Sequence, residues 1–519
     1  MQLKFLPLAA ACLAPLVAAS SHTYPTRNES SASIDDFLRS VNISPDAVSA
    51  EAKAQGGAEL ACAILEVANP AVLVNATDGA LYVNETEAHN SQTAWERPHC
   101  IFTPLDAEGV SLAVRTATAA DSQFAVRSGG HSPLTGFASI GNGGFLISLS
   151  GITDLHYDAE TETQRSGFGN LWGDVYGYLA QFNRIIIGGR SSSVGLALTL
   201  GGGLSHGSNQ YGWACQNIVS YEVVLADGSI VTASADERED LFAALKAGQN
   251  NFGVITHIVQ KTYPAGKVWG GLVIYSGSAL KQFMSAIADY QANGQLDTRS
   301  AMLPYFFFDG DIITQQFVHF EGVERPEAFA PFYNITPIED QTQIWDSFSA
   351  MISVDLGFAL TRYSYATTTM YLDEETYIGA TEIVKSFTDR IQPIAGAELI
   401  MMPQPISSSM ISASNAQSRD PFGTTDRPQN WYTVCVGWLN QEDDEQAEAL
   451  MMEILEAVET YTKSRDMYDP FIFTNDAYSS QAALESYGAE NFNGMLSAQE
   501  KYDPTRVFQR LVPGGFKLS

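Results

Sequence analysis

The chain has 519 residues, of which 59 are acidic and 28 basic, so its formal net charge is −31. Hydrophobic residues make up 45% of it and charged residues only 17%, which excludes a wholly disordered protein. The negative charge disfavours nucleic acid or an anionic membrane surface as a partner, because both repel an acidic protein. A bound phosphate group would have to be held mainly by backbone N–H groups.

Residues 1–19 predict a secretory signal peptide. Lys4 supplies the positive charge, an apolar run covers residues 5–19, and Val17 and Ala19 take the −3 and −1 positions before the cleavage point. A buried N-terminal helix is the alternative. No later segment approaches the ~18 continuous apolar residues of a membrane span. Five N-x-S/T sequons agree with a secreted, extracellular glycoprotein: Asn28, Asn42, Asn75, Asn84 and Asn334.

Four cysteines lie beyond the predicted signal peptide. In an oxidising compartment a bridge between Cys62 and Cys100 is expected, although four cysteines allow three pairings. Cys215 and Cys435 have apolar neighbours and are predicted to be buried thiols. The sequence contains no C-x-x-C, H-x-H or H-E-x-x-H pattern, so we expect no metal site.

Farther along the chain, the predicted elements are mixed. Residues 223–225 and 230–233 flank an Asp227-Gly228 turn and predict a β-hairpin, and a short helix is expected at 236–247. The Pro264-Ala265-Gly266 stretch separates a glycine-rich part from an aromatic part, which predicts a cofactor domain followed by a substrate domain. In the second part, apolar periodicity predicts helices at 280–288 and 447–458 and strands at 301–308, 312–320 and 431–438.

The sharpest motif follows an apolar strand at 124–126 and reads Arg127-Ser128-Gly129-Gly130-His131-Ser132. Two glycines at the end of a strand let the backbone turn tightly and expose successive N–H groups. Such a nest binds an anion without side-chain charge. The alternative is an ordinary strand-ending turn that carries a surface histidine.

A second glycine-rich region holds eight glycines within residues 188–212. Together with residues 250–256, it suits the close approach of a flat or phosphorylated group. It is not a Rossmann fingerprint: in the nearest match, Gly167-Phe-Gly169, Trp172 stands where the third glycine belongs. The sequence also lacks a P-loop, so a Rossmann dehydrogenase is disfavoured.

A competing motif is Gly203-Leu-Ser205-His-Gly207, which matches the G-x-S-x-G nucleophile elbow of serine hydrolases. That fold requires an Asp and then a His downstream of the serine. The last histidine is His319, and 200 residues follow it without another. A serine hydrolase is therefore the least favoured alternative.

In this order and spacing, the glycine segments resemble the berberine-bridge-enzyme-like FAD-linked oxidases of the vanillyl-alcohol-oxidase superfamily, in their fungal secreted branch. The resemblance runs from about residue 60 to the C-terminus. It also includes Tyr211-Gly-Trp-Ala-Cys-Gln-Asn217 and the tail from Tyr502-Asp-Pro504 to Pro513-Gly-Gly-Phe516.

This resemblance implies an α+β fold of two domains. A PCMH-type FAD-binding domain would comprise residues 60–266 and be completed by the returning C-terminal segment 471–519, with an N-terminal extension at 20–59. The substrate domain, residues 267–470, would be an antiparallel sheet backed by helices.

The family also implies covalent FAD. His131 matches the histidine that bonds to the flavin 8α-methyl group, and the turn at 127–132 would hold the pyrophosphate. Relatives often add a second link through a cysteine, but Ser191 stands at that position, so a single link through His131 is expected. Val194 matches a position associated with oxygen access to the flavin. The remaining cofactor contacts carried over are Ser193, Gly195, Gly202, Gly253, Ile255 and Asn475.

The catalytic base does not carry over directly. The family often uses the Tyr of an Asn-Tyr pair, but here Asp476 follows Asn475, and Trp431 stands where relatives place a polar residue. Asp476 and Tyr478 are the candidates for proton removal or substrate placement. The alternative for Asp476 is that it only caps a turn.

The function implied is a secreted oxidase that passes hydride from a small molecule to FAD and electrons to O₂, giving H₂O₂. The substrate would be a secondary metabolite such as a polyketide or alkaloid, or else a carbohydrate. The aromatic stretch 304–308 slightly favours a flat or apolar substrate. A flavin-binding protein with little turnover is the non-enzyme alternative.

Overall fold

The computed structural model describes residues 33–353 and 360–518. The predicted signal peptide and the sequon at Asn28 lie outside the described residues. The strands in chain order are β1 Leu73–Asn75, β2 Cys100–Phe102, β3 Gln123–Arg127, β4 Gly144–Ser148, β5 Leu155–Asp158, β6 Thr163–Gly167, β7 Arg184–Ile185, β8 Ile218–Val224, β9 Ile230–Ser234, β10 Val254–Lys261, β11 Tyr263–Pro264, β12 Val268–Ser276, β13 Ser300–Phe307, β14 Ile312–His319, β15 Glu339–Asp340, β16 Gln343–Trp345, β17 Arg362–Tyr371, β18 Glu398–Ile406, β19 Gln429–Trp438 and β20 Tyr468–Asp469.

The helices complete an α+β fold. They are α1 Ile34–Ser40, α2 Ala50–Gln55, α3 Gly57–Ala68, α4 Ala80–Thr86, α5 Ala107–Ala120, α6 Trp172–Ala180, α7 Ser208–Tyr211, α8 Glu239–Leu245, α9 Leu280–Ala292, α10 Phe348–Ile352, α11 Glu374–Ser386, α12 Thr388–Ile391, α13 Ser408–Gln417, α14 Asp444–Ser464, α15 Gly488–Tyr502 and α16 Val507–Arg510.

Besides the two-stranded pair of β7 with β11, two larger sheets form the part of the molecule up to Pro264. One has the strand order β1-β2-β4-β3, with β4 parallel to both β2 and β3, and the other is antiparallel in the order β5-β6-β10-β8-β9. Both share one hydrophobic core with α3 and α5. The predicted hairpin is confirmed as β8 and β9, in which Val224 pairs with Ile230 around a Gly228 whose φ is 83°.

The helix predicted at 236–247 is shorter than expected. Its first residues form a turn instead, because the Ser234 hydroxyl accepts hydrogen bonds from the backbone N–H groups of Asp236 (3.2 Å) and Glu237 (3.1 Å). A serine side chain that binds the backbone two and three residues ahead competes with helical hydrogen bonding. The helix therefore starts at Glu239.

A nine-stranded antiparallel sheet forms the substrate-domain part, in the order β15-β12-β14-β13-β18-β19-β17-β20, with β16 also paired to β12. Helices α9, α11 and α14 pack on this sheet and enclose a second hydrophobic core. The predicted helices and strands of this part are confirmed, with α14 extended to Ser464. The chain leaves the first part after Pro264 and enters the large sheet at Val268.

The C-terminal segment returns to the first part of the molecule. The backbone N–H of Phe124 in β3 donates to the carbonyl of Leu511 (2.8 Å), and the Asn251 side chain donates to the carbonyl of Phe516 (2.7 Å). Leu518 is fully buried. Residues from both ends of the described chain thus complete one hydrophobic core.

The expected disulfide is present: Cys62 of α3 and Cys100 of β2 are bonded, with their Cα atoms 6.0 Å apart. Cys215 and Cys435 are buried free thiols, as predicted.

We expect Cys62→Ser to lower the free energy of unfolding by about 4 kcal/mol, because the bridge closes a long loop in the unfolded chain. Thermal melts with and without reductant would check this. Reductant should lower the melting temperature of the wild type and leave that of Cys62→Ser unchanged; equal melts for wild type and variant would contradict it.

The sequons within the described residues differ in accessibility. Asn42, Asn84 and Asn334 are exposed, whereas Asn75 is half-buried and its amide donates to Glu66 Oε1 (3.3 Å). Within residues 33–353 and 360–518, no helix is long and apolar enough to cross a membrane. The same residues contain no group of three His, Cys, Asp or Glu side chains that could hold a metal ion.

Candidate cofactor and substrate site

A cavity of about 560 Å³ lies between the two parts of the molecule. The turn after β3, the glycine loop and the C-terminal segment line one end of it, and β13, β17, β18 and β19 of the large sheet line the other. Because the two ends differ in chemistry, they can hold two different ligands side by side.

The turn after β3 provides backbone donors at the first end. Ser128, Gly129, Gly130, His131 and Ser132 all line the cavity. Gly130 has a φ of 66°, a conformation that glycine adopts without strain. Within the described chain, the N–H groups of Gly129, Gly130 and His131 have no protein acceptor. Unpaired N–H groups at a cavity wall are what a pyrophosphate requires from an acidic protein, so the turn fits the predicted nest.

The turn packs against the glycine loop without any side chain between them. A Cβ at Gly129 would lie 2.6 Å from the Cα of Gly195. We expect Gly129→Ala to push the two loops apart and to cost the protein most of its bound flavin. The ratio of flavin to protein absorbance after gel filtration would measure this. Gly143→Ala is the matched control, since a Cβ there meets nothing within 4 Å; full flavin in both variants would contradict the prediction.

His131 lines the cavity next to the loop that carries Ser191 and Ser193. Its Nε2 lies 3.3 Å from Ser193 Oγ. Burial lowers the pKa of His131 to about 4, so the ring is neutral at physiological pH. A neutral imidazole keeps one nitrogen lone pair available for bonding. Ser191, which also lines the cavity, offers a hydroxyl and no thiol.

Most of the other predicted cofactor contacts are brought together at this end. Asn475 is held by its side-chain amide, which donates to the carbonyl of Leu198 (2.9 Å). The set that lines the cavity also includes Val194, Gly195, Gly253 and Ile255.

Three predicted contacts are placed differently. The Arg127 guanidinium pairs with Glu85 Oε2 (2.8 Å) and Ser148 Oγ (3.0 Å) and does not line the cavity, so it braces the turn instead of facing a phosphate. Gly202 packs face-on against the ring of Phe422, where a Cβ would clash. Ser193 is exposed beside the cavity and does not line it, but its hydroxyl contacts the ring of His131, which does.

The second end of the cavity is mainly apolar and aromatic. The aromatic stretch predicted from the sequence alternates as a strand does, so Tyr305 and Phe307 face the cavity while Phe306 and Phe308 enter the core. The other walls are Leu303, Leu360, Tyr363, Tyr365, Ile400, Met402 and Cys435.

A polar cluster lies at the junction of the two ends. Asp476 ends a 3₁₀ turn, Thr474–Asp476, and its Oδ2 accepts hydrogen bonds from Gln404 Nε2 (2.6 Å) and Thr433 Oγ1 (3.2 Å). The Oε1 of Gln404 in turn accepts a hydrogen bond from Arg190. Burial raises the pKa of Asp476, so this carboxylate holds a proton more readily than an exposed one.

Sequence reasoning missed Arg190 and Gln404. Arg190 directly follows Gly188-Gly189 in the glycine loop, a signal that could have identified it. Gln404 is a lone amide in strand β18, which is apolar after its first residue, Glu398, and Gln404 is 3% exposed. A buried amide in such a strand needs polar partners, which was the available signal.

Two predicted positions lie outside the cavity. The hydroxyl of Tyr478 donates to Glu448 Oε2 (2.8 Å), and Tyr478 packs against the substrate-domain core. Trp431 is fully buried, with its ring 4.6 Å from that of Phe473. On β19 it is Cys435 that faces the cavity. Of the two candidate bases, only Asp476 can therefore contact a ligand there.

The G-x-S-x-G segment does not form a nucleophile elbow. Ser205 is buried and its Oγ accepts a hydrogen bond from the backbone N–H of Gly207 (3.2 Å). Both ring nitrogens of the adjacent His206 lack a hydrogen-bond partner among the described residues. A serine without a bonded histidine has no general base, which argues against a hydrolase.

Comparison with known proteins agrees with this site. Residues 98–234 match the family model described as FAD binding domain. The chain is 52% identical over 518 residues to the bifunctional solanapyrone synthase of Alternaria solani, covering 100% of both chains. The chain belongs to the FAD-dependent oxidoreductases. An FAD-dependent monooxygenase of Arthrobotrys oligospora is 34% identical over 483 residues, covering 92% of this chain and 94% of that one.

Solved structures show the same fold in more distant proteins. The 6-hydroxy-D-nicotine oxidase of Arthrobacter nicotinovorans superposes with a TM-score of 0.72 at 20% identity, covering 86% of this chain and 97% of that one. A glucooligosaccharide oxidase from Acremonium strictum, whose FAD is 6-S-cysteinyl and 8α-N1-histidyl, gives 0.65 at 17% identity, covering 81% and 92%. This FAD-dependent oxidoreductase therefore has the α+β fold that the resemblance implied.

Proposed function

We propose that the protein is a secreted oxidase that holds FAD covalently through His131 and oxidises a small, mainly apolar metabolite. The observation that carries this proposal is the placement of His131 and Asp476 in one cavity, at the cofactor end and at the junction with the apolar end. When bound, FAD supplies the hydride acceptor and the route for electrons to O₂, with H₂O₂ as the product.

Asp476 is the residue that takes the proton. Its Oδ2 is held by Gln404 and Thr433, which leaves Oδ1 without a hydrogen-bond partner among the described residues, and Asp476 lines the cavity. A hydroxyl or amine of the substrate placed at Oδ1 would give up its proton as the adjacent C–H loses hydride. The raised pKa of Asp476 makes it a stronger base than an exposed aspartate.

His131 is the attachment residue because its geometry leaves one nitrogen free. In the tautomer whose Nε2–H donates to Ser193 Oγ, the lone pair of the ring is on Nδ1. Ser191 is a weak nucleophile, and its one hydrogen-bond partner among the described residues is the Ser193 hydroxyl (3.0 Å), so no second link is expected.

Secretion is supported by the N-terminal signal pattern, the disulfide and the three exposed sequons. A metabolite is favoured over a carbohydrate because most of the side chains that line the substrate end are apolar or aromatic. The Asp476 carboxylate lies at the junction with the cofactor end and can act as a base. This disfavours a flavin-binding protein with little turnover.

Oxygen consumption by the secreted protein tests the proposal. Purified protein should be yellow, with flavin absorbance maxima, and it should consume O₂ and form H₂O₂ with members of a panel of aromatic and allylic alcohols and amines. Oligosaccharides in the same panel should give no uptake. A colourless, folded preparation would refute the cofactor assignment, and uptake with oligosaccharides alone would refute the substrate class.

A further inference from the structure

We infer that Arg190 binds an anionic or strongly polarised oxygen atom of the substrate, so that the cavity selects planar, apolar molecules carrying such an oxygen beside the group to be oxidised. This inference rests on the proposed function and narrows its substrate class. It is carried by the position of Arg190, by its unpaired donors and by the amide that separates it from Asp476.

The glycine loop fixes the place of Arg190. Gly188 and Gly189 pack directly on the indole of Trp172, where a Cβ at either position would clash. Trp172 is itself fully buried. The backbone just before Arg190 is thus held rigidly, and the side chain extends into the cavity, which it lines.

Within the described chain, the Arg190 guanidinium has one hydrogen-bond partner, Gln404 Oε1. A guanidinium carries five N–H donors, so most of those of Arg190 have no protein acceptor. Leaving donors of a charged group unpaired in the interior is costly. A ligand oxygen in the cavity would satisfy them.

Arg190 supplies the positive charge of this cavity. No other Lys or Arg of the described residues lines it, and the ring of His131 is neutral. The cation faces apolar and aromatic walls formed by residues such as Leu303, Tyr305 and Phe307. Because such walls exclude water, a charge-assisted hydrogen bond to Arg190 is stronger than one on the surface.

Gln404 keeps Arg190 and Asp476 from neutralising each other. Its Nε2 donates to Asp476 Oδ2 (2.6 Å) and its Oε1 accepts from Arg190, so a neutral amide stands between the two charges. Among the described residues, no ion pair joins Arg190 to Asp476. Both groups therefore remain available to a ligand, one as a donor and the other as an acceptor.

The substrate that fits this arrangement has a recognisable chemistry. A polarised carbonyl, enolate or carboxylate oxygen would bind Arg190, and a neighbouring O–H would bind Asp476. The remaining body would be flat and apolar, since it lies against Tyr305, Phe307 and Met402. Simple hydrocarbons and uncharged sugars lack one or the other of these features.

Binding of two matched probes to the flavin-loaded protein tests the inference. The probes are 2-naphthoate and 2-naphthamide, which share a flat apolar body and differ in charge. Changes in flavin absorbance report the dissociation constant without any turnover. In the wild type, naphthoate should bind at least about tenfold more tightly than naphthamide, the range of a charge-assisted hydrogen bond. Arg190→Gln should remove this preference while naphthamide affinity stays within about twofold.

The control variant is Arg419→Gln, because Arg419 is exposed and pairs with Glu490 (2.9 Å) away from the cavity. It should keep the wild-type preference. Arg190→Lys preserves the charge and should retain part of the preference for naphthoate. This variant is the test of Arg190 if Arg190→Gln does not fold. The inference would be overturned if the wild type bound both probes equally or bound neither. It would also be overturned if Arg190→Lys and Arg190→Gln both kept the full preference for naphthoate. A wild type without flavin absorbance would instead overturn the proposed function.

Discussion

Replacing His131 with asparagine is expected to abolish covalent retention of flavin. The imidazole is the neutral nucleophile that lines the cofactor end of the cavity, and an asparagine amide nitrogen has no available lone pair. After acid precipitation the wild-type protein should stay yellow. The precipitated His131→Asn protein should be colourless, and any flavin that it had bound should be in the supernatant. Digestion and mass spectrometry should place flavin on the wild-type peptide that contains His131.

Ser191→Ala is the control for this experiment, because Ser191 lines the same cavity and stands at the second attachment position of relatives. It should retain flavin as fully as the wild type. Flavin released from acid-treated wild-type protein, or found on a peptide without His131, would contradict the single histidyl link.

Replacing Asp476 with asparagine is expected to slow flavin reduction by about 10²- to 10⁴-fold, the range for loss of a general base. The amide preserves the shape of the side chain but cannot accept the substrate proton. Anaerobic stopped-flow measurement of flavin absorbance would give the rate with any substrate found by oxygen uptake. Flavin content should stay unchanged, because the proposed covalent link is at His131 and not at Asp476.

The pH profile gives a second test of Asp476. Only the carboxylate can take a proton, so the reduction rate should rise with pH through the pKa of Asp476. Because burial raises that pKa, the rise should occur at a higher pH than an exposed aspartate would give. Asp476→Asn should lose this rise. Tyr478→Phe is the control, because Tyr478 pairs with Glu448 outside the cavity and its loss should leave both rate and profile unchanged.

Local sequence patterns predicted the elements that local interactions determine. The Asp227-Gly228 hairpin, the amphipathic helices and the glycine turn at 127–132 are specified by residues a few positions apart, and the structure confirms them. The disulfide was also found, because few cysteines were available to pair.

The errors arose where the outcome depends on contacts between distant residues. Arg127 was assigned to phosphate, but Glu85, 42 residues away, takes its charge. Tyr478 is a predicted candidate for proton removal or substrate placement because it lies just after the Asn-Tyr position of the family, yet its hydroxyl donates to Glu448 outside the cavity. The contact between Arg190 and Gln404 spans 214 residues and two domains, so no local pattern could reveal it.

The return of residues 471–518 to the first part of the molecule bears on how the protein is made. Substrate-domain strands come from one continuous stretch, and during synthesis that stretch can begin to fold as soon as it emerges from the ribosome. The cofactor cavity is different, since Phe508, Gly515 and Phe516 form part of its wall. The part of the cavity wall that precedes Pro264 therefore stays incomplete and open until the ribosome has translated the more than two hundred residues that separate it from those last wall residues. Enclosure of FAD is therefore a late event in biogenesis, after translation has passed residue 516.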